Sequence, residues 1–154
     1  MKIETLFTRE DMTFEEAAQY FRERVPVTAD EFYALAEEYQ GLAFTVSGYT
    51  KLQILKRFYE ELLAAIEAGN TFSEFRLNMN EFLKNEGYTG LAPLQADNIF
   101  RTNIQTAYHV GHYQQMTDPA VMKLRPYWMY DAVNDAHTRR THLAMNSRVF
   151  PADS

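Results

Sequence analysis

The pattern of apolar and polar positions in the first ninety residues predicts four short helices. A threonine is followed three residues later by Glu or Gln four times, at Thr13, Thr28, Thr50 and Thr71. In such a capping box the threonine hydroxyl accepts a backbone N–H of the first helical turn. The Glu or Gln side chain in turn accepts the backbone N–H of the threonine. We therefore predict helix starts within a few residues of these threonines, and no strand between Thr50 and Glu86.

Two of these helices have apolar residues at spacings of three and four, which predicts one core-facing side for each. These positions are Leu52, Leu55, Tyr59, Leu62, Leu63 and Ile66 in the third helix, and Phe75, Met79, Phe82 and Leu83 in the fourth. We interpret residues 1–90 as an N-terminal helical region, and we expect residues 1–122 to be overwhelmingly helical.

A fifth, longest helix is predicted from Pro93 to about Met116, because only Gly111 interrupts an otherwise helix-compatible stretch. A short helical turn follows, in which Asp118 is the cap and Pro119 takes the first helical position. This segment begins the second predicted region, residues 91–154.

After Pro126 the residues become aromatic and β-favouring, which predicts a strand near 127–133 and a turn at Asn134-Asp135. A short helix from Thr138 to Met145 and a second strand near 148–150 complete the chain. The predicted fold class is mainly α: a helical bundle with a long central helix, followed by a small α+β end piece.

Charge and composition limit the functions to consider. Residues 1–90 hold nine Lys/Arg against sixteen Asp/Glu, whereas residues 91–154 hold six against five. Because nucleic-acid affinity needs several basic residues acting together, this charge disfavours direct nucleic-acid binding. No apolar run approaches the ~20 residues of a membrane-spanning helix, so no membrane association is expected. There is no cysteine, which excludes a thiolate metal site within these residues.

The second half of the chain contains an ordered series of short motifs. They are Ile99-Phe100-Arg101-Thr102-Asn103, Ala107-Tyr108 with Gly111, Arg125-Pro126-Tyr127-Trp128, Asp135 to His142, and Val149-Phe150. Their order and spacing resemble the phage Mu protein F-like family over roughly residues 93–153. Weaker similarity around residues 43–46 and 69–75 extends the resemblance over nearly the whole chain.

The resemblance implies a minor capsid protein of a tailed phage or prophage, acting in head morphogenesis and not as an enzyme. Its implied partners are the portal and other head proteins, with a homo-oligomer left open, and its implied locations are the bacterial cytoplasm during assembly and the virion head. No cofactor or metal is implied. The structural or interaction candidates are Arg101, Thr102, Tyr108, Gly111, Tyr127, Trp128, Tyr130, Asp135, Thr138, Arg139, His142 and Phe150. Among them we favour Tyr127, Trp128 and Tyr130 as interface anchors, because large aromatic residues dominate interface energetics.

The sequence departs from the family at two turn positions and at its end. Thr141 stands where members often have Pro, and Ser147 where they often have Gly. Family members commonly continue into a Cys-Arg-Cys element, whereas this chain stops at Ser154, so we expect a truncated domain.

An alternative function is a metal-dependent hydrolase or toxin-associated module that uses Asp135, His137 and His142. A working zinc site needs three or four convergent ligands, and these residues lack a supporting pattern such as His-Glu-x-x-His. We instead expect Asp135 to cap a helix beginning at Thr138, Arg139 to pair with a carboxylate, and His142 to donate to a carbonyl. The neighbouring His109 and His112 are expected to be solvated or packed against aromatic rings.

Overall fold

The computed structural model describes residues 14–152 and divides the chain into two compact units, residues 1–112 and 113–154. Between residues 14 and 152 the elements are α1 (Glu15–Arg22), β1 (Val25–Pro26), α2 (Ala29–Ala34), α3 (Glu37–Gln40), β2 (Ala43–Phe44), α4 (Leu52–Glu67), α5 (Phe72–Asn85), α6 (Pro93–Thr117), α7 (Pro119–Leu124), β3 (Tyr127–Met129), α8 (Arg140–Met145) and β4 (Val149–Pro151). The mainly helical fold class is confirmed, as are the long α6 and the short strands near the end of the chain. The domain boundary predicted at residue 90 stays a prediction.

Two of the predicted capping boxes form. Thr28 begins α2 and Thr71 begins α5, each accepting the backbone N–H of the third helical residue at 3.3 Å. In the first box the backbone N–H and the hydroxyl of Thr28 both donate to the carboxylate of Glu31. These two hydrogen bonds lower the pKa of Glu31 below its ordinary value of 4.5.

The capping box predicted at Thr50 is wrong, although a helix does start close by. The first helical residue of α4 is Leu52 and its N-cap is Lys51, which makes no side-chain cap hydrogen bond. The threonine therefore lies one residue too early to reach the first turn. The box predicted at Thr13 lies outside the described residues.

The core of the first unit lies among α1, α4 and α5, with α6 and the segment around β2 completing it. Its buried apolar residues are Ala17, Ala18, Phe21, Phe44, Val46, Tyr49, Ile54, Leu55, Phe58, Leu62, Ile66, Phe75, Met79, Leu83, Leu91, Ala96 and Ala107. Burying a large side chain completely contributes about 1.5–3 kcal/mol. The predicted face of α5 is confirmed at Phe75, Met79 and Leu83, while Phe82 is only partly buried.

The predicted core face of α4 is partly wrong. Leu55, Leu62 and Ile66 are buried as expected, but Leu52 is exposed and Phe58 is buried instead. Glu61 also lies on the buried side. The helix is apolar around much of its circumference, so spacing alone did not fix which side faces the core.

Glu61 can be buried because both of its carboxylate oxygens have partners. Arg57 lies 2.5 Å from one oxygen, and Asn78 donates to the other at 2.9 Å. A buried charge is tolerated only when it is paired and hydrogen-bonded in this way. The three side chains thus tie α4 to α5.

The first unit also contains a parallel strand pair that the sequence pattern did not predict. Val25 pairs with Ala43 and Pro26 with Phe44. The segment between the two strands, residues 27–42, carries α2 and α3 and has no buried residue. The pairing therefore holds both ends of a surface segment.

Gly111 lies where α6 comes closest to α1. A Cβ added there would lie 2.7 Å from the backbone nitrogen of Ala17 and 3.1 Å from its Cα. No rotamer change removes a clash with backbone atoms, so this approach requires glycine. None of the helices among residues 14–152 is long and apolar enough to cross a membrane.

Candidate functional site

The candidate surface is built on the antiparallel pair of β3 and β4. Tyr127 pairs with Pro151, Trp128 with Phe150 and Met129 with Val149, so the two strands predicted from the sequence lie side by side. Backbone hydrogen bonds extend the pairing beyond both ends. The N–H of Tyr130 donates to the carbonyl of Arg148, and the N–H of Ala152 donates to the carbonyl of Pro126. The first strand is shorter than the predicted 127–133, because the chain leaves the sheet after residue 130.

The turn before β4 has a strained backbone. Ser147 has φ 62°, in the left-handed region that favours glycine. Its N–H nevertheless donates to the carbonyl of Tyr130 at 2.8 Å, which closes the turn. Ser147 is the position where the sequence departs from the family's Gly, and the structure shows the backbone conformation that makes Gly suitable there.

The two faces of the β3–β4 sheet differ in exposure. On one face Trp128 and Phe150 are half-buried, and the Trp128 ring lies edge-on to Tyr113 with centroids 6.2 Å apart. These residues line an apolar cleft of about 420 Å³ together with Met116 and Met145, and Met129, Tyr130 and Pro151 border it as well. The pair formed by Trp128 and Phe150 is therefore the packing face.

The opposite face, which we call the sheet face, consists of Tyr127, Met129, Val149 and Pro151. Tyr127 is 65% exposed, Met129 63% and Val149 60%. None of the residues from 113 to 152 is fully buried, so packing within this part of the chain is limited to half-buried side chains such as Trp128 and Phe150. Contiguous exposed apolar surface is characteristic of interaction sites, so the sheet face is the candidate surface.

The Asp135 segment forms a turn and not the helix cap that we expected. The Asp135 carboxylate accepts the backbone N–H of His137 at 2.9 Å and the hydroxyl of Thr138 at 3.0 Å. The helix α8 begins only at Arg140, and its N-cap is Arg139 without a side-chain cap hydrogen bond. The expected cap is wrong because Asp135 folds back onto its own turn, too far from the helix.

The expected partners of Arg139 and His142 are also wrong. No carboxylate among residues 14–152 forms an ion pair with Arg139. His142 bonds through Nδ1 to the hydroxyl of Tyr130 and not to a backbone carbonyl. Both side chains are exposed, so water satisfies their remaining hydrogen-bonding groups.

Asp135, His137 and His142 do share one open cleft of about 370 Å³, which Tyr130 and Arg139 also line. Across residues 14–152, however, no three His, Cys, Asp or Glu side chains converge closely enough to hold a metal ion. The Asp135 carboxylate already accepts two donors within its turn. The geometry thus gives no support to a metal-dependent hydrolase built on these residues.

The remaining motif residues lie on α6. Arg101 forms an exposed ion pair with Asp97 at 2.9 Å, and Thr102 is exposed. Tyr108 packs its ring against Phe14, with centroids 5.4 Å apart. His112 meets the same ring edge-on at 5.8 Å, which is the aromatic packing expected for this histidine.

Sequence reasoning missed several exposed apolar residues of the second unit, because it looked for aromatic anchors. Leu124 and Val133 are each 84% exposed, and Leu143 is 53% exposed. These residues could have been found in the sequence as apolar residues that have no second apolar residue at the spacing of a helix face or a strand face.

The fold and the surface define a mainly helical protein whose terminal unit presents apolar and aromatic residues outward. The sequence profile of the family described as Phage Mu protein F like protein matches residues 56–154. The chain belongs to this family.

Two relatives support the assignment. The chain is 33% identical over 134 residues to the Mu-like prophage FluMu F protein of Haemophilus influenzae, an alignment that covers 79% of this chain and 32% of the relative. It is 30% identical over 154 residues to the "Putative capsid assembly protein F" of Escherichia phage Mu, covering 90% of this chain and 35% of that protein. The chain thus spans about a third of the length of these curated relatives. No solved structure matches it significantly.

Proposed function

We propose that this chain is the part of a minor head protein that binds other head proteins during capsid assembly, and that its partner is the portal at the portal vertex. The proposal rests on the similarity to a relative named for capsid assembly, which covers 90% of this chain. It is a binding role without catalysis, carried out in the host cytoplasm and retained in the virion head.

The sheet face is the surface that suits this role best. It exposes Tyr127, an aromatic residue of the kind that dominates interface energies, beside Met129 and Val149. None of the residues 113–152 of this unit is buried. A partner that covered Tyr127, Met129 and Val149 would bury side chains that now contact water. Such burial is the main driving force of protein association.

The test is co-expression of the tagged chain with the portal protein and the major head protein of the same phage. We expect the portal to copurify, and the double variant Tyr127→Ala with Met129→Ala to retain about a tenth of that capture or less, because interface anchors cost about 2 kcal/mol or more each. The matched control is Leu77→Ala, which removes a 67% exposed apolar side chain from α5. Its capture should equal that of the parent chain.

The outcomes separate the two parts of the proposal. Copurification of the major head protein alone would show that the assembly role is right and the portal vertex wrong. Capture of neither protein would overturn the proposed function. Equal losses for the double variant and the Leu77 control would show that the sheet face is not the binding surface.

A further inference from the structure

Two separate parts of the chain lack buried residues while exposing large apolar ones. The first is the segment between β1 and β2, residues 27–42, which we call the acidic segment. There Tyr33 is 80% exposed, Tyr39 55% and Leu42 49%. The second is the unit of residues 113–152, where Leu143 on α8 is 53% exposed.

The two parts carry opposite charge. The acidic segment contains four acidic residues, Asp30, Glu31, Glu37 and Glu38, and no Lys or Arg. Residues 113–152 contain five Lys/Arg and three Asp, and two of those arginines are adjacent at the start of α8. Complementary charge of this kind steers association and fixes its register.

Helix geometry gathers the basic and apolar residues of α8 on one side. At about 100° per residue, Arg139, Arg140 and Leu143 lie roughly opposite Met145. Met145 lines the cleft beneath Trp128 and Phe150. We call the three residues the α8 face. It is distinct from the sheet face, because none of its three residues lies on β3 or β4.

We infer that the acidic segment of one copy binds the α8 face of a second copy, so that the protein self-associates. Glu37 and Glu38 would lie against Arg139 and Arg140, while the exposed apolar residues of both surfaces cover one another. The occupant is a second copy because the two surfaces have opposite charge, and each exposes large apolar side chains that the other would cover. Two complementary surfaces on each copy can pair reciprocally in a two-fold dimer, or successively in a ring or an open chain.

Self-association of this kind goes beyond the proposed function and does not depend on it. A contact through these faces does not use the residues of the sheet face, which stay available to other head proteins. It also gives a reason why α2 and α3 contribute nothing to the core, since their outer residues contact a neighbouring copy.

The test is analytical ultracentrifugation of the 154-residue chain over a wide concentration range. We expect species heavier than 18.0 kDa whose proportion rises with concentration. Raising the salt from about 50 to about 500 mM should shift them toward the monomer, because exposed ion pairs are screened. A single 18.0 kDa species at every concentration would overturn the inference.

Charge reversal identifies the surfaces. The variant with Glu37→Arg and Glu38→Arg, and separately the variant with Arg139→Glu and Arg140→Glu, should each associate at least about tenfold more weakly, because like charges then face each other. An equimolar mixture of the two variants should restore association, since every contact between unlike variants is again complementary. Restoration by mixing cannot arise from a contact within one chain or from loss of folding.

The controls are Glu81→Arg and Arg76→Glu, which reverse exposed charges on α5 outside both faces. They should associate like the parent chain. If the α8 variant instead keeps its self-association and loses portal capture, the α8 face belongs to a head protein and the inference is wrong. Failure of the mixture to recover would overturn it equally.

Discussion

Replacing Gly111 by alanine tests the packing of α6 against α1. The new methyl carbon would lie 2.7 Å from the backbone nitrogen of Ala17 and 3.1 Å from its Cα, with the Phe14 ring also at 3.1 Å. Real Cβ contacts are longer than this, so α1 must move. The substitution therefore has two opposite effects on stability: alanine favours the helix more than glycine does, but its methyl group disrupts the packing against α1.

The packing loss should exceed the gain. Alanine favours a helix interior over glycine by about 1 kcal/mol. Overpacking a tight contact typically costs about 1–3 kcal/mol, and the upper part of that range, about 2–3 kcal/mol, applies here because two of the three close atoms belong to the backbone. We expect a net loss of roughly 1–2 kcal/mol, which lowers the melting temperature by about 2–8 °C for a chain of this size.

The assay is thermal and urea unfolding followed by circular dichroism. Gly41→Ala is the matched control, since Gly41 has φ −62° and no atom lies within 4 Å of the place its new methyl carbon would take. It should leave stability unchanged or raise it by about 0.4–1 kcal/mol. Phe14→Leu in the Gly111→Ala background should restore only part of the loss, because the Ala17 backbone remains. If Gly111→Ala is as stable as Gly41→Ala, α1 does not pack against Gly111 and the reasoning fails.

Four further expectations concern single side chains. Thr71→Ala should cost about 0.5–2 kcal/mol of unfolding free energy by urea titration, whereas Thr50→Ala, which removes no cap, should change little. Ser147→Gly should raise the melting temperature by relieving a left-handed backbone whose cost is about 1 kcal/mol. Glu31→Gln should make the melting temperature fall less steeply on acidification. In the parent chain the pKa of Glu31 is lower in the folded state, so its carboxylate stabilises the folded protein fully above pH 4.5. This stabilisation is lost as the pH falls through the lowered pKa. His142→Ala should cost about 0.5 kcal/mol or less, because the side chain is exposed; a larger loss by calorimetry would mean that the residue is covered.

The helices were predictable where the sequence determines them locally. Thr28 and Thr71 satisfy their first turns through residues three positions away, and Asp118 accepts the N–H groups of Ala120 and Val121 just after it. A signal contained within four residues can be read without knowledge of the fold. The long α6 was predictable for the same reason, since it lacks any breaker except Gly111.

Features that depend on distant residues were not predictable. The parallel pairing of Val25 with Ala43 joins positions eighteen residues apart through strands of only two residues. The buried position of Glu61 depends on Asn78 of another helix. In both cases the deciding partner lies outside any local window, so periodicity could not indicate it.

The roles of the residues in the Asp135 to His142 motif were likewise not predictable from the local sequence. The spacing of the motif was compatible with a helix cap, which needs one carboxylate just before the helix, and with metal ligation, which needs carboxylate and imidazole groups that converge. The structure uses the groups differently: Asp135 closes its turn onto Thr138, and His142 bonds to Tyr130, which follows β3. These contacts connect the loop and α8 to the sheet, and thereby leave Arg140 and Leu143 on the outer side of the helix. The motif residues thus hold the turn in place, while the residues available for binding are their exposed neighbours, which no motif singled out.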